Sequence, residues 1–393
     1  MSMTAGIEGA VTVHLTVAGG TVRAARVAVQ RPTSAAGALA GRTVAEALRL
    51  LPLLYSVCGM GQGVAAVEAC EAALGAAPDA PHRAARTLLV LGETAGSHAW
   101  QACMDWPRLL GEAPRPQDLA PLRAAVSALV PALYPQRDAI TPGGGTLRPD
   151  TAALAAAIDR LRAGIGHAVF GGAPALETPN DFAAWAADGA TPTARLLAKV
   201  LTPDLAGFGG CDVAALPDLP PSWFAERLAA DPGFSARPHR DGAPALTGPL
   251  ARTADHPLVA ALVTRSGAGL AAHFAARLVE LAGLPDRMAA LLDRLEPAGP
   301  APARGDRGTG AGAVETARGR LAHWVRIADG RMADYRTVAP TEWNFAADGP
   351  LARGLTSALA GVDPAGGDLA GRAALLVAAL DPCVRAAVTV EEA

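Results

Sequence analysis

Two cysteine motifs near opposite ends of the chain place the strongest constraint on its fold. The first is Val57-Cys58-Gly59-Met60-Gly61, and the second is Asp381-Pro382-Cys383. If Cys58 and Cys383 act together, the fold must bring the two ends of the chain to one place. The five cysteines are scattered and odd in number, which argues against a disulfide framework and for a reducing cytoplasm. The remaining three are expected to be packing residues: Cys70, Cys103 and Cys211.

Composition excludes several classes of partner. Of the 393 residues 51% are hydrophobic and 18% are charged, and the formal net charge is −3. This balance is not that of a protein that binds nucleic acid or a membrane surface. No apolar stretch is long enough for a spanning helix, and the start at Met1 shows no secretory signal. We therefore expect a cytoplasmic protein without membrane insertion.

The first part of the chain predicts a hairpin followed by helices. Residues 11–17 alternate apolar and polar side chains, and residues 21–30 follow a Gly-Gly turn as a second strand. Thr43 and Glu46 form a capping-box pattern ahead of a helix over 44–54. The Cys58 motif is expected in a loop, with a helix over 64–74 after it. Residues 83–295 are mostly helical in pattern.

The last part of the chain predicts a second hairpin and two helices. Asp329-Gly330 favours a type I′ turn between strands 319–328 and 332–338. A helix over 369–380 then leads to Asp381. The segment 297–313 is expected to be a flexible loop, and its arginines are either solvated or used for docking. The prediction is an α+β protein, mostly α, in which residues 1–393 form a single domain.

Several motifs, in the same order along the chain, resemble those of the nickel-iron hydrogenase large subunit. They span nearly the whole sequence: Ile7-Glu8-Gly9, the Cys58 motif, Gly248-Pro249-Leu250-Ala251-Arg252, Glu315 to Trp324, Pro340-Thr341-Glu342-Trp343-Asn344 and the Cys383 motif. The resemblance implies a large-subunit-like fold, with a central helical bundle and small β-hairpins near both ends.

Half of the family's metal ligands are missing. The family has C-G-x-C near the N-terminus and D-P-C-x-x-C-x-x-H at the C-terminus, and the second cysteine of each pair bridges nickel and iron. Here Gly61 and Ala386 stand at those two positions, and Ala65 and Thr389 stand where the motifs have histidine. Ser56 replaces an arginine, and the residues after Cys383 are too few for a cleavable tail. The departures imply that the chain is not a hydrogen-converting enzyme and that stable nickel is not expected.

Residues around the family's iron are better retained. Arg318 matches an arginine that faces the diatomic ligands, and Thr341 matches a hydroxyl residue that bonds a cyanide. Pro340 and Pro382 match apolar packing around the iron. Cys58 and Cys383 could then hold a transient Fe(CN)₂(CO) fragment, because soft thiolates suit such a metal.

This pattern resembles the hydrogenase expression/formation proteins of the HupK/HoxV type, which are degenerate relatives of the large subunit. The resemblance implies a scaffold or chaperone that works with hydrogenase maturation proteins and passes the fragment to the hydrogenase large subunit precursor.

Other interpretations remain open. The chain could be a metal-free mimic of the large subunit that binds maturation partners. It could also be a divergent metalloenzyme with nickel, which would need ligands from His98, Glu8 or Asp381. Alternatively, the two motif cysteines are buried hydrophobes or form a disulfide, Arg318 pairs with Asp381, His98 is a core histidine, and Glu8 bonds the Cys58 loop.

Overall fold

A bundle of helices forms the centre of the molecule, and two small sheets flank it. The computed structural model describes residues 9–18, 21–30, 37–55, 57–174, 176–360 and 368–392. Its α-helices are Val44–Leu54, Gly59–Leu74, Ala80–Trp100, Trp106–Leu109, Pro116–Ser127, Leu129–Leu133, Thr151–Ile165, Pro179–Asp188, Pro192–Val200, Pro221–Ala230, Pro249–Thr253, Pro257–Ser266, Leu270–Ala289, Pro340–Asn344, Pro350–Leu359 and Leu369–Leu380. Gln101–Asp105 and Gly166–Phe170 are π-helical turns, and Pro232–Ser235 and Leu292–Arg294 are 3₁₀ turns.

The first sheet joins the two ends of the chain. β1 (Ala10–Ala18) pairs antiparallel with β2 (Thr21–Gln30) and parallel with β6 (Arg385–Glu392). The valines and the leucine of β1 at alternate positions are buried, as the period of two predicts. The first hairpin is thus confirmed, whereas β6 was not expected from the sequence. Because β6 begins two residues after Cys383, this sheet brings the second cysteine motif to the N-terminal part of the fold.

The second sheet is an antiparallel meander of β3 (Gly308–Thr316), β4 (Gly319–Ala328) and β5 (Arg331–Val338). Asp329 and Gly330 have φ values of 51° and 67°, so the predicted type I′ turn is confirmed. β3 was not expected, and it begins inside the segment 297–313 that was predicted to be a loop. The backbone amides of Arg304 and Gly305 donate to the carbonyl of Leu74 at 3.0 and 3.1 Å. The flexibility of that segment stays a prediction.

Strand β3 lies directly on helix Gly59–Leu74. A Cβ atom on Gly310 would come within 2.3 Å of the Ala69 carbonyl oxygen, and one on Gly312 within 2.2 Å of the Ala65 carbonyl oxygen. Only glycine permits two backbones to approach so closely. The contact fixes the helix that follows Cys58 against the strand that leads to Arg318.

The buried core includes polar groups that are paired. Arg86 makes two 2.9 Å bonds to the carboxylate of Glu71, which also accepts the backbone amide of Gly143 at 2.8 Å. His98 Nε2 lies 2.9 Å from Glu280 Oε2, and Arg252 binds both oxygens of Glu280 at 2.7 Å. His98 is therefore a core histidine with a partner. In the part of the chain that the structure describes, no helix has the length and apolar character needed to cross a bilayer.

Two buried histidines should make stability fall in mild acid. Burial lowers the pKa of His323 to about 3, and burial together with the charge of Arg277 lowers the pKa of His273 to about 4. Both values lie below the ordinary pKa of 6.5. Between the lowered pKa and 6.5, the unfolded chain therefore binds more protons than the folded protein does. Stability decreases as pH falls from about 6.5 towards 4. Each histidine contributes up to about 1.4 kcal/mol per pH unit to that slope.

The matching measurement is urea unfolding at several pH values between about 7 and 4.5. We expect His323→Gln to reduce the pH slope of the free energy of unfolding by the contribution of one proton. The exposed His167→Gln serves as the control and should leave the slope unchanged. An unchanged slope in His323→Gln contradicts the assignment of acid sensitivity to this residue.

Candidate metal-binding cleft

Cys58 stands at the N-terminus of helix Gly59–Leu74. The loop around Cys58 is shorter than predicted, because the helix already begins at Gly59 and Cys58 is its N-cap residue. The Cys58 carbonyl accepts the backbone amide of Gln62 at 2.9 Å, and its sulfur accepts the side-chain amide of Gln62 at 3.5 Å. The first cysteine is thus held at a rigid helix end.

A carboxylate from a neighbouring helix caps this helix start. Glu93 Oε1 accepts the Met60 amide at 2.7 Å, and Glu93 Oε2 accepts the Gly61 amide at 2.8 Å. Amides at a helix N-terminus lack partners within the helix, so the two bonds satisfy both of them. The sequence analysis missed Glu93. The one sequence feature that points to Glu93 is that a charged residue stands within an apolar helical stretch.

Cys383 follows the end of helix Leu369–Leu380. Asp381 ends the helix in a left-handed conformation with φ 54°, and Pro382 prevents its continuation. Arg277 supports this helix end, since its Nη2 donates to the carbonyl of Ala379 at 2.9 Å. The sulfur of Cys383 lies 3.2 Å from Thr341 Oγ1, which also accepts the Cys383 amide at 3.4 Å. The structure therefore places Thr341 directly beside the second cysteine.

Arg318 lies in the turn between β3 and β4. Its Nε is 3.1 Å from Asp381 Oδ2, its Nη2 donates to Asp381 Oδ1 at 3.3 Å, and its Nη1 donates to Ser97 Oγ at 3.3 Å. The pairing of Arg318 with Asp381 is thus observed. Burial alone would lower the pKa of Arg318, but Asp381 and then the sulfurs of Cys383 and Cys58 raise it. A fixed positive charge therefore lies close to both cysteines.

The two cysteines also interact with each other. Burial is the largest cause that raises the pKa of Cys58, followed by the negative charge of the Cys383 sulfur and that of Glu93. No disulfide joins Cys58 to Cys383 in the described structure, so this alternative is not what the structure shows. A bound metal cation favours the thiolate form of such groups.

A cleft of about 1280 Å³ opens beside these groups. Arg318, Asp381, Pro382, Cys383 and Glu93 line it, and Cys58 lies between two lining residues. Pro382 is half-buried there, and Pro340 is buried at the start of the helix that holds Thr341. The mouth has three large apolar side chains that are strongly exposed: Leu53 at 77%, Val57 at 44% and Trp100 at 41%.

The residues at the positions of the missing large-subunit ligands have neither a sulfur nor an imidazole group. A Cβ on Gly61 would lie 3.0 Å from Thr316 Cγ2 and 3.3 Å from Glu93 Oε2. Ala386 is exposed in β6, opposite Val11. The Thr389 hydroxyl is 3.0 Å from His14 Nδ1. Ala65 is buried under β3, and Glu8 and Ser56 lie outside the described residues.

The other sequence candidates that the structure describes do not form a second metal centre. Cys70 and Cys103 are buried, and the Cys211 sulfur donates to the carbonyl of Pro350 at 3.7 Å. Within the described ranges, no three His, Cys, Asp or Glu side chains are grouped so as to hold a metal ion. His98 is bonded to Glu280 and Asp381 is paired with Arg318.

The two cysteine sulfurs, with one guanidinium and two hydroxyl groups nearby, fit a metal that brings most of its own ligands. Soft sulfur ligands suit an electron-rich iron, and the buried cation of Arg318 suits an anionic ligand sphere. Thr341 and Ser97 provide hydroxyl groups that can donate hydrogen bonds.

Comparisons with known proteins place the chain in a class. Residues 245–388 match the family model of nickel-dependent hydrogenases. The fold is similar to that of the Ni-Fe-Se hydrogenase from D. vulgaris Hildenborough, with a TM-score of 0.66 and 18% identity over 93% of this chain and 94% of that one. The chain therefore has the α+β fold of nickel-iron hydrogenase large subunits, as predicted.

The more similar relatives are accessory proteins. The chain is 32% identical to the hydrogenase expression/formation protein HupK of Azotobacter vinelandii, over 96% of this chain and 97% of that protein. It is also 32% identical to the hydrogenase expression/formation protein HoxV of Cupriavidus necator, over 91% of each. The chain belongs to the HupK/HoxV family of hydrogenase expression/formation proteins, which confirms the resemblance found in the sequence.

Proposed function

We propose that this protein is an accessory scaffold of nickel-iron hydrogenase maturation, which transiently holds an Fe(CN)₂(CO) fragment and delivers it to the hydrogenase large subunit. The observation that supports it most is the meeting of Cys58 and Cys383, from opposite ends of the chain, beside the buried cation of Arg318. The names of the relatives support a role in maturation. The partners in this proposal are the large subunit precursor and hydrogenase maturation proteins.

Each nearby residue has a distinct part in holding this cargo. The sulfurs of Cys58 and Cys383 bind the iron, and Arg318 balances the negative charge of its cyanide ligands. Thr341 Oγ1 accepts the Cys383 backbone amide and so orients that cysteine, which leaves its one O–H proton to donate to a cyanide. Pro382 keeps one wall of the site apolar.

A site with only two protein ligands suits transfer better than catalysis. The iron fragment has three diatomic ligands of its own, so two sulfurs hold it without closing its coordination sphere. The wide cleft leaves room for a second protein's sulfur to approach. Neither Gly61 nor Ala386 can bridge two metals, and we therefore infer that the protein does not turn over hydrogen.

The test is infrared spectroscopy with iron and nickel analysis on protein purified without oxygen from cells with intact maturation genes. We expect cyanide and carbonyl bands and iron without stoichiometric nickel. Cys58→Ala and Cys383→Ala should each lose the bands and the iron, because one thiolate cannot retain the fragment. Cys211→Ala is the matched control and should keep both, since this half-buried cysteine bonds the carbonyl of Pro350. Absence of both bands and iron in a sample still bound to maturation partners contradicts the proposal.

A second function is favoured by the apolar mouth of the cleft. Exposed side chains such as Leu53 and Trp100 are typical of protein interfaces. A metal-free mimic of the large subunit would bind maturation partners through such a surface. In that case copurification of those partners survives the change of both cysteines to alanine, and no iron is found in the unmodified protein.

A further inference from the structure

Residue 61 is the position from which the chain could most simply supply a third metal ligand. It lies three residues after Cys58, and residues at this spacing around a helix start share one face. The conformation of Gly61 does not require glycine, because its φ is not positive. The reason for glycine must therefore be the space around it.

That space is too narrow for a side chain unless its neighbours shift by a few tenths of an ångström. A side chain at residue 61 would begin 3.3 Å from Glu93 Oε2 and 3.0 Å from Thr316 Cγ2. Both distances are shorter than ordinary van der Waals contact. Thr316 is buried, and its hydroxyl donates to the Gly319 carbonyl at 2.9 Å, so any shift of its methyl group strains that bond.

Glu93 is equally fixed. Each of its carboxylate oxygens accepts one backbone amide of the Cys58 helix, at 2.7 and 2.8 Å. Hydrogen bonds to a charged group are stronger than neutral ones, and moving the carboxylate would leave two amides at the helix start without partners. The carboxylate is thus part of the framework that positions Cys58.

We propose that Glu93 is a specificity-determining residue, which holds the Cys58 helix start through its two amide bonds. Together with the methyl group of Thr316 it closes the space beside Gly61 to a third protein ligand. The site is thereby limited to two sulfur ligands and one metal. This inference deepens the proposed function, but its steric part does not depend on the identity of the cargo.

The experiment uses Co²⁺ as the probe, titrated without oxygen into the reduced, metal-free full-length chain, with sulfur-to-cobalt charge-transfer absorbance as the readout. We expect Gly61→Cys to bind Co²⁺ with nearly the same affinity as the unmodified protein, because the new thiol cannot take up a ligating position. Two further changes open the space: Glu93→Ala, and Thr316→Ser, which removes the methyl group and keeps the hydroxyl bond to Gly319. In that background Gly61→Cys should bind Co²⁺ about tenfold more tightly or better than Gly61→Ser, which has a side chain of similar size without a thiol.

Two outcomes overturn the proposal: an equal gain in Co²⁺ affinity from Gly61→Cys alone, or no gain from Gly61→Cys when Glu93→Ala and Thr316→Ser are also present. If Glu93→Ala does not fold, Glu93→Asp retracts the carboxylate by one methylene and replaces it in both combinations. A metal-free measurement gives an independent check, since the loss of melting temperature from Gly61→Ala should be smaller when Glu93 is also shortened. Additive losses contradict the steric contact. Because no iron fragment is present, these results are separate from failure of the carrier role.

Discussion

Gly310→Val is expected to lower the free energy of unfolding by about 3 kcal/mol or more, which is the upper part of the range for overpacked sites. Strand β3 crosses helix Gly59–Leu74 so closely that a Cβ on Gly310 would be 2.3 Å from the Ala69 carbonyl oxygen and 2.5 Å from the Ala73 amide nitrogen. Both atoms belong to helix backbone, which cannot rotate away as a flexible side chain can. The strand must therefore separate from the helix, and the buried surface between them is lost.

Urea unfolding and thermal melting at a fixed scan rate measure this effect. The matched control is Gly283→Ala within helix Leu270–Ala289, where a Cβ meets no atom within 4 Å. Alanine has the higher helix propensity, so this variant should be as stable as the unmodified protein or slightly more stable. Melting of Gly310→Val at the temperature of the unmodified protein would show that the strand does not rest on the helix as described.

The same contact explains why β3 could not be predicted from the sequence. Its residues from Gly308 to Gly312 alternate glycine with Thr309 and Ala311, a composition with low intrinsic strand preference. The strand forms because glycine permits close packing on a distant helix, which is a tertiary effect. By contrast, the hairpin at Asp329-Gly330 has a local turn signal and was predicted correctly. β6 depends in the same way on its pairing with β1, from the other end of the chain.

The candidate site likewise contains some residues that the sequence predicted and others that only the structure shows. The motifs located Cys58, Cys383, Arg318 and Thr341, and the structure brings these four together. The motifs gave no sign of Ser97 or Glu93, because both lie within helix Ala80–Trp100, in a pattern typical of any buried helix. Their roles depend on which way that helix faces and on what lies opposite. Sequence order alone does not contain this information.

Asp381→Ala is expected to destabilise the protein by about 3 to 5 kcal/mol, the range for removing one partner of a buried ion pair. The side chains of Arg318 and Asp381 are only 11% and 9% exposed, so the guanidinium would keep its charge with Ser97 as its remaining bonded partner. Alanine is also unfavourable at the φ of 54° that this residue adopts, whereas asparagine tolerates it. Asp381→Asn therefore separates the backbone effect from the loss of charge, and should lie between Asp381→Ala and the unmodified protein in stability.

Arg318→Met combined with Asp381→Ala distinguishes the structural part of the pair from its proposed part in holding iron. Removing both charges leaves none uncompensated, so the double variant should be more stable than Asp381→Ala alone. The cation that balances the cyanide ligands is absent, and we therefore expect the folded double variant to retain little iron and weak infrared bands. Unfolding in urea and infrared spectra of the same samples measure the two effects. A double variant that holds as much of the iron fragment as the unmodified protein would show that Arg318 is present only to fix Asp381, and the attraction for the cargo must then come from the cysteines alone.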